Sequence, residues 1–197
     1  MNVALKHKRA TRGAKGLARW RFTAADVEAM VAAGILDEDE RVELLRGELV
    51  PMSPKGSRHE ALNAALNRHW QRVCPEDVQT TPATAFRLSA DTYLEPDFVL
   101  YPSDVGLAGI KGENVPLVVE VGDTSTRNDR GRKAKLYAQF GVRELWAIDA
   151  VKMIAPVFRG PSEQGYRETA DFSASDTIPP GLAPEAFALR LARLKLV

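Results

Sequence analysis

The chain has 197 residues, of which 45% are hydrophobic and 27% charged, and this balance predicts a globular domain of ordinary size with a buried core. The formal net charge of +1 excludes a strong overall field that would attract nucleic acid to the whole surface. Cys74 is the single cysteine, which excludes a disulfide framework and a thiolate metal site. A reducing, cytoplasmic setting is therefore expected, and no apolar run is long enough to predict a membrane span.

The positive charge is concentrated at the N-terminus. Basic residues recur from Lys6 to Arg21, and no acidic residue precedes Asp26. Such a block is typical of a solvated, flexible tail, and a non-specific phosphate-binding arm is the alternative. We expect the tail to comprise residues 1–20 and a single domain to comprise residues 21–197.

Apolar spacing, capping residues and turn residues predict the elements of that domain. In chain order they are a helix capped by Thr23 and ended by Gly34, a hairpin over 41–52 that turns at Arg46 and Gly47, a helix over 59–73, a strand over 78–88 interrupted at Pro82, two short strands near 97–101 and 116–121, a helix over 129–140, a strand over 143–149, a hairpin over 153–169, and a strand or short helix over 188–197. This order predicts an α+β fold, with helices around one central mixed β-sheet.

Two carboxylates lie at the ends of two of the apolar strands. Asp97 precedes Phe98, and Glu120 closes the run that begins at Leu117. If these strands are neighbours, the two acids supply oxygen ligands for a hard divalent cation such as Mg²⁺. The alternative is structural, with Asp97 capping a turn after Pro96 and Glu120 paired with an arginine. Two like charges placed close together also predict that one of the two pKa values is raised without metal.

Several segments, taken in order, resemble one protein family. They are Arg21–Thr23, residues 33–36, residues 41–50, residues 52–54 with His59, residues 95–97, residues 119–121, Asp129 with Lys133, residues 137–146, and Gly181 with Leu182. The ordered set resembles the bacterial Uma-two family of restriction-endonuclease-like proteins, which belongs to the PD-(D/E)XK nuclease superfamily. The resemblance extends from about Arg21 to the C-terminus, and it implies a restriction-endonuclease-like core.

The resemblance implies a set of site residues. Asp97 and Glu120 correspond to the two metal ligands, and the backbone carbonyl of Val121 to a third. Gly122 stands where the Glu-x-Lys motif of the superfamily has its lysine, and the resemblance implies that Lys133, on the following helix, takes that role. Lys135 is the rival, and a solvent-facing Lys133 paired with Asp129 is the structural alternative.

Two further residues match the family pattern. Glu43 is a candidate for holding a second metal or a metal-bound water, and a lone strand acid is its alternative interpretation. His59 is a candidate for carrying a proton or contacting phosphate, and an ordinary histidine at a helix N-terminus is its alternative.

Together these residues predict a Mg²⁺- or Mn²⁺-dependent endonuclease that hydrolyses phosphodiester bonds in nucleic acid, with DNA as the expected substrate. The alternative function is a catalytically silent nuclease fold that binds nucleic acid or a protein partner. A homodimer is expected, because two symmetry-related sites are the simplest way to cut both strands of a duplex.

Overall fold

The structure is a computed structural model that describes residues 10–12, 18–122 and 127–196. Most of the predicted basic tail lies outside these residues, so the tail stays a prediction. The chain divides into two compact units, of which the first contains Arg87–Leu94 and the chain up to Ser53. The second contains Pro54–Phe86 and the chain from Glu95 onward. The assignment of residues 21–197 to a single domain also stays a prediction.

From residue 24 onward the described helices and strands follow the predicted order, apart from an additional strand at residues 92–94, and two strands at residues 10–12 and 18–20 lie within the segment predicted to be a tail. In chain order they are β1 (Ala10–Arg12), β2 (Ala18–Trp20), α1 (Ala24–Ala32), β3 (Val42–Leu45), β4 (Glu48–Pro51), α2 (Ser57–Val73), β5 (Val78–Pro82), β6 (Phe86–Ser89), β7 (Thr92–Leu94), β8 (Phe98–Pro102), β9 (Leu117–Gly122), α3 (Arg127–Gln139), β10 (Glu144–Asp149), β11 (Ala155–Ser162) and β12 (Gly165–Phe172).

In the first unit, the helix cap and the hairpin turn predicted from the sequence are both present. The Thr23 hydroxyl accepts a hydrogen bond from the Asp26 amide, and the Asp26 carboxylate accepts one from the Thr23 amide, which completes a capping box at the start of α1. The hairpin of β3 and β4 turns at Arg46 and Gly47, whose φ angles of 52° and 81° are both positive. Positive φ at both central residues is the geometry of a type I′ turn, one of the two turn types that favour a two-residue hairpin.

The sheet arrangement of the first unit differs from the prediction of one sheet. The hairpin belongs to a separate four-stranded sheet with strand order β4-β3-β7-β6. The strand predicted over 78–88 is two strands, because β5 ends at Pro82 and β6 joins this second sheet. Pro82 has no amide hydrogen to continue a ladder, and Ala83 has a φ of 44°, which turns the chain.

The second unit contains the predicted mixed sheet. Its six strands have the order β12-β11-β10-β9-β8-β5. Strands β9 and β10 are parallel, and the other neighbouring pairs are antiparallel. The prediction of an α+β fold with a central mixed sheet is therefore confirmed, and the strands next to Asp97 and Glu120 lie inside this sheet.

Helices α2 and α3 pack against the strands that lead to the acids. Val119 and Val121 of β9 belong to one buried cluster with Leu66 and Trp70 of α2. Since successive strand residues point to opposite faces, Glu120 between them points away from α2. Its carboxylate meets Tyr137 of α3, so the two helices approach β9 from opposite sides.

The C-terminal segment is neither of the two predicted alternatives. Within residues 188–196, Leu191–Arg193 forms a short 3₁₀ turn, and Leu189 makes an isolated bridge to Ile178. The buried Glu144 carboxylate anchors the preceding loop by accepting hydrogen bonds from the Gly181 amide at 2.6 Å and from Arg159. These hydrogen bonds join segments that are far apart in sequence, so the apolar pattern of the C-terminal residues by itself does not predict their conformation. None of the helices among the described residues has both the length and the apolar character needed to cross a membrane.

Candidate active site

The Asp97 carboxylate is buried and accepts hydrogen bonds from several elements. Asp97 has 5% of its surface exposed. Its carboxylate accepts from Lys55 Nζ at 3.1 Å, from Asn63 Nδ2 at 2.8 Å, and from the Val121 amide at 2.8 Å. His59 Nε2 lies 3.2 Å from Oδ2 and 3.1 Å from Oδ1. These donors come from the loop before α2, from α2 itself and from β9.

The electrostatics of Asp97 contradict the predicted like-charge effect at this residue. Burial by itself raises the pKa of Asp97, but the hydrogen bond and charge of His59, together with donation from Val121 and Asn63, outweigh it and lower the pKa to about 2. The raised pKa predicted for one of the two acids is therefore not found at Asp97, because donors and cations surround it. The pKa of His59 is raised: burial lowers it, and Asp97 more than compensates.

The ladder of β8 and β9 stops just short of both acids. Its last pair is Phe98 with Val119, so Asp97 immediately precedes this pair on one strand and Glu120 immediately follows it on the other. The helical contacts of Asp97 come from α2, and those of Glu120 come from α3. The Val121 amide donates to Asp97, so the Asp97 carboxylate takes the place of a strand partner where the ladder stops.

Glu120 and Lys133 come together on the other side of β9. The Tyr137 hydroxyl donates to Glu120 Oε1 at 2.6 Å, and Lys133 Nζ lies 3.5 Å from the same oxygen. The Lys133 side chain is 14% exposed, whereas Lys135 is exposed. The stripe formed by Leu136 and Tyr137 is buried, which turns Lys133 inward and Lys135 outward. The side chain of Asp129 lies outside the described residues, so that alternative pairing stays open.

The backbone of Val121 is oriented toward Asp97. The Gly122 carbonyl accepts a hydrogen bond from the Ala150 amide, just beyond β10. Because backbone groups of successive strand residues alternate sides, the N–H and C=O of Val121 point the other way, toward β8. The N–H bond to Asp97 agrees with this. The Val121 carbonyl therefore points toward β8, on the same side of β9 as Asp97, which is one of the predicted metal ligands.

The two supporting candidates differ in their surroundings. His59 contacts Asp97 directly, and its Nδ1 lies 3.6 Å from Glu60 Oε1. Glu43 is buried on β3 of the first unit, and its part in the site stays a prediction. Sequence reasoning missed the contacts that Lys55 and Asn63 make with Asp97 and that the Tyr137 hydroxyl makes with Glu120. The spacing of His59 and Asn63, one helical turn apart, is a signal that could have indicated the Asn63 contact.

The donor set fits a hard divalent cation. Carboxylate oxygens of Asp97 and Glu120 and the Val121 carbonyl are the ligand types that Mg²⁺ and Mn²⁺ prefer. Among residues 10–12, 18–122 and 127–196, no group of three or more His, Cys, Asp or Glu side chains gathers as a metal site. Two carboxylates and a carbonyl still suit Mg²⁺, which retains several waters when bound to protein.

Comparison with known proteins agrees with the resemblance in sequence. The family model described as "Uma2: Putative restriction endonuclease" matches residues 25–192. The chain belongs to the Uma2 family. The fold is also similar to the crystal structure of "a putative nuclease belonging to DUF820" from Anabaena variabilis ATCC 29413, with a TM-score of 0.61 and 15% sequence identity over 82% of this chain and 93% of that chain. At this identity the similarity shows a shared fold. No curated protein matches the sequence significantly.

Membership in the Uma2 family supports a nuclease role for this chain. The matched range includes Asp97, Glu120 and Lys133.

Proposed function

We propose that this Uma2 protein is a divalent-metal-dependent endonuclease that hydrolyses phosphodiester bonds in DNA. The observation that supports this most directly is that β8, which follows Asp97, and β9, which carries Glu120, are paired neighbours, with Lys133 Nζ 3.5 Å from Glu120. Acid, acid and lysine are the groups that metal-assisted phosphodiester hydrolysis needs.

In this proposal Asp97, Glu120 and the Val121 carbonyl hold Mg²⁺ or Mn²⁺. When bound, the ion supplies Lewis acidity to the phosphate and lowers the pKa of a coordinated water. Asp97 is suited to such a role because its pKa of about 2 keeps it ionised at neutral pH. Its hydrogen bonds from Asn63 and Val121 fix its orientation.

Lys133 is proposed as the catalytic cation. Its ammonium lies beside Glu120 on a largely buried stem, so it can neutralise negative charge that develops on the phosphate oxygens. Tyr137 positions Glu120 through its hydroxyl. His59 positions Asp97, and its raised pKa favours the protonated form that donates to the carboxylate.

The substrate, the cellular location and the oligomeric state are also proposed. DNA is proposed as the substrate because the family description names a restriction endonuclease, and a cytoplasmic location is proposed from the lone cysteine. A homodimer is proposed because two symmetry-related sites would cut both strands. Sedimentation is expected to show a dimer, and a monomer that makes double-strand breaks at a rate first order in enzyme would contradict this.

The test is cleavage of supercoiled plasmid with Mg²⁺ or Mn²⁺ by the wild-type chain and by matched lysine variants. Lys133→Ala is expected to reduce the rate about 10²- to 10³-fold, because a charge-stabilising group is lost. Lys135→Ala, on the exposed side of the same helix, is expected to cut at the wild-type rate. Asp97→Ala is the inactive control.

Two outcomes would contradict the proposal. If Lys135→Ala were inactive while Lys133→Ala still cut DNA, the catalytic cation would be Lys135, on the exposed face of α3, and the proposal for Lys133 would be wrong. A folded wild-type chain that binds DNA without cutting it under any metal condition would favour the alternative of a silent binding module.

A further inference from the structure

The first metal ligand of the proposed site has its hydrogen-bonding capacity filled by protein groups. Lys55 Nζ and Asn63 Nδ2 bond to Oδ1 of Asp97, while the Val121 amide bonds to Oδ2 and His59 Nε2 lies within 3.2 Å of it. A carboxylate has about four lone-pair positions. A cation can therefore coordinate Asp97 only if one of these four donors leaves.

The four donors differ in how easily they can leave. The Val121 amide is fixed by its position in β9. His59 and Asn63 are held on α2. Lys55 lies in the loop before α2, on a long side chain that is 19% exposed, so it can swing into solvent at little structural cost.

Its charge also makes Lys55 the donor that a divalent cation would displace. Its ammonium carries a full positive charge, which a divalent cation at Asp97 would repel strongly in a buried setting. Lys55 also directly precedes Gly56, the N-cap of α2, and the partial positive charge of a helix N-terminus disfavours a cation. The ion pair with Asp97, at 3.1 Å, is therefore the interaction that keeps Lys55 in this place.

We propose that Lys55 is the resident counter-ion of Asp97, which a divalent cation must displace in order to bind. In this role Lys55 helps to hold the Asp97 carboxylate in its orientation when the metal is absent, and it sets the metal concentration at which the site fills. The inference rests on the proposed function in one respect, since it takes Asp97 as a metal ligand.

A purely structural ion pair makes the opposite prediction. If Lys55 only anchors its loop to the start of β8, removing its charge lowers stability and loosens Asp97, and metal binding becomes weaker or stays the same. If Lys55 competes with the metal, removing its charge makes metal binding tighter. The sign of the change in affinity separates the two roles.

The experiment measures Mn²⁺ binding to the full chain, without nucleic acid, by electron paramagnetic resonance of the free ion. Lys55→Met, which keeps the stem and removes the charge, is expected to lower the Kd for Mn²⁺ on the order of tenfold, the value of one lost charged hydrogen bond. Lys55→Arg is expected to keep the wild-type Kd or raise it. Lys152→Met, on the exposed turn after β10, is the matched control and should leave the Kd unchanged.

Each outcome decides the inference. An unchanged or higher Kd in Lys55→Met, with thermal unfolding showing a folded protein, overturns it; Lys55→Gln replaces this variant if Lys55→Met does not fold. Wild-type Mn²⁺ binding in Asp97→Asn also overturns it, even where cleavage is observed. Tighter binding in Lys55→Met by a chain that cuts no DNA supports the inference and contradicts only the proposed function.

Discussion

Acidification of the metal-free protein tests the electrostatic surroundings of Asp97. The folded-state pKa of about 2 lies below the usual 3.8, and a difference of this size corresponds to about 2 kcal/mol of stability at neutral pH. The sign follows from the direction of the shift. Because the folded pKa is the lower one, the contribution is complete above the unfolded value and is lost as the pH falls toward 2.

The assay is urea denaturation of wild type and Asp97→Asn at several pH values, with chelator present. Other carboxylates titrate in the same range, but they are common to both proteins, so the difference in unfolding free energy isolates Asp97. We expect that difference to shrink by about 1 kcal/mol between pH 5 and pH 3 and by about 2 kcal/mol at pH 2. Asparagine keeps the size of the side chain and removes the charge that His59 and Lys55 face.

The refuting result is a constant difference between the two proteins from pH 5 to pH 2. It would mean that Asp97 has the same pKa in the folded and unfolded chains, and that burial cancels the hydrogen bonds from His59, Asn63 and Val121. A difference that grows as the pH falls would mean that the like-charge effect of Glu120 dominates after all.

Two other substitutions test contacts near the site. Tyr137→Phe removes the hydroxyl that holds Glu120, so plasmid cleavage is expected to fall about 10- to 100-fold with an unchanged circular dichroism spectrum; an unchanged rate would show that Glu120 is positioned without it. In Gly112→Ala the new Cβ would lie 2.0 Å from the Phe140 carbonyl oxygen, so urea denaturation is expected to show a loss of about 1–3 kcal/mol. The control is Gly131→Ala in α3, where the new Cβ would have no atom within 4 Å, so the free energy of unfolding is expected to rise by about 0.5–1 kcal/mol. Equal unfolding free energies for the two variants would contradict the contact between residue 112 and Phe140.

The local elements were predictable because their causes lie within a few residues. The capping box of Thr23 and Asp26 and the turn at Arg46 and Gly47 depend on side chains and backbone angles close in sequence. The rotation of α3 was predictable for the same reason. A buried stripe that includes Tyr137 places Lys133 inward by helical periodicity.

The surroundings of the acids were only partly predictable. Family resemblance indicated Asp97, Glu120 and Lys133, and the structure shows that the strands next to the two acids, β8 and β9, are neighbours. A shared site for the three residues stays a prediction. The lowered pKa of Asp97 was not predictable, since it depends on groups that are 24 to 38 residues away in sequence, such as His59 and Val121. No spacing rule covers contacts between a loop and a distant strand end.

The sequence was therefore sufficient for most of the elements from α1 onward, the mixed central sheet and the chemical types of the candidate ligands, because periodicity, capping and residue chemistry act over short distances. The tertiary structure alone decided that residues 78–88 contribute to two different sheets, that the Tyr137 hydroxyl donates to Glu120, and that Lys55 forms an ion pair with Asp97. These features arise from packing between distant segments, whose geometry depends on the whole chain at once, and burial then determines how strongly the charges brought together interact.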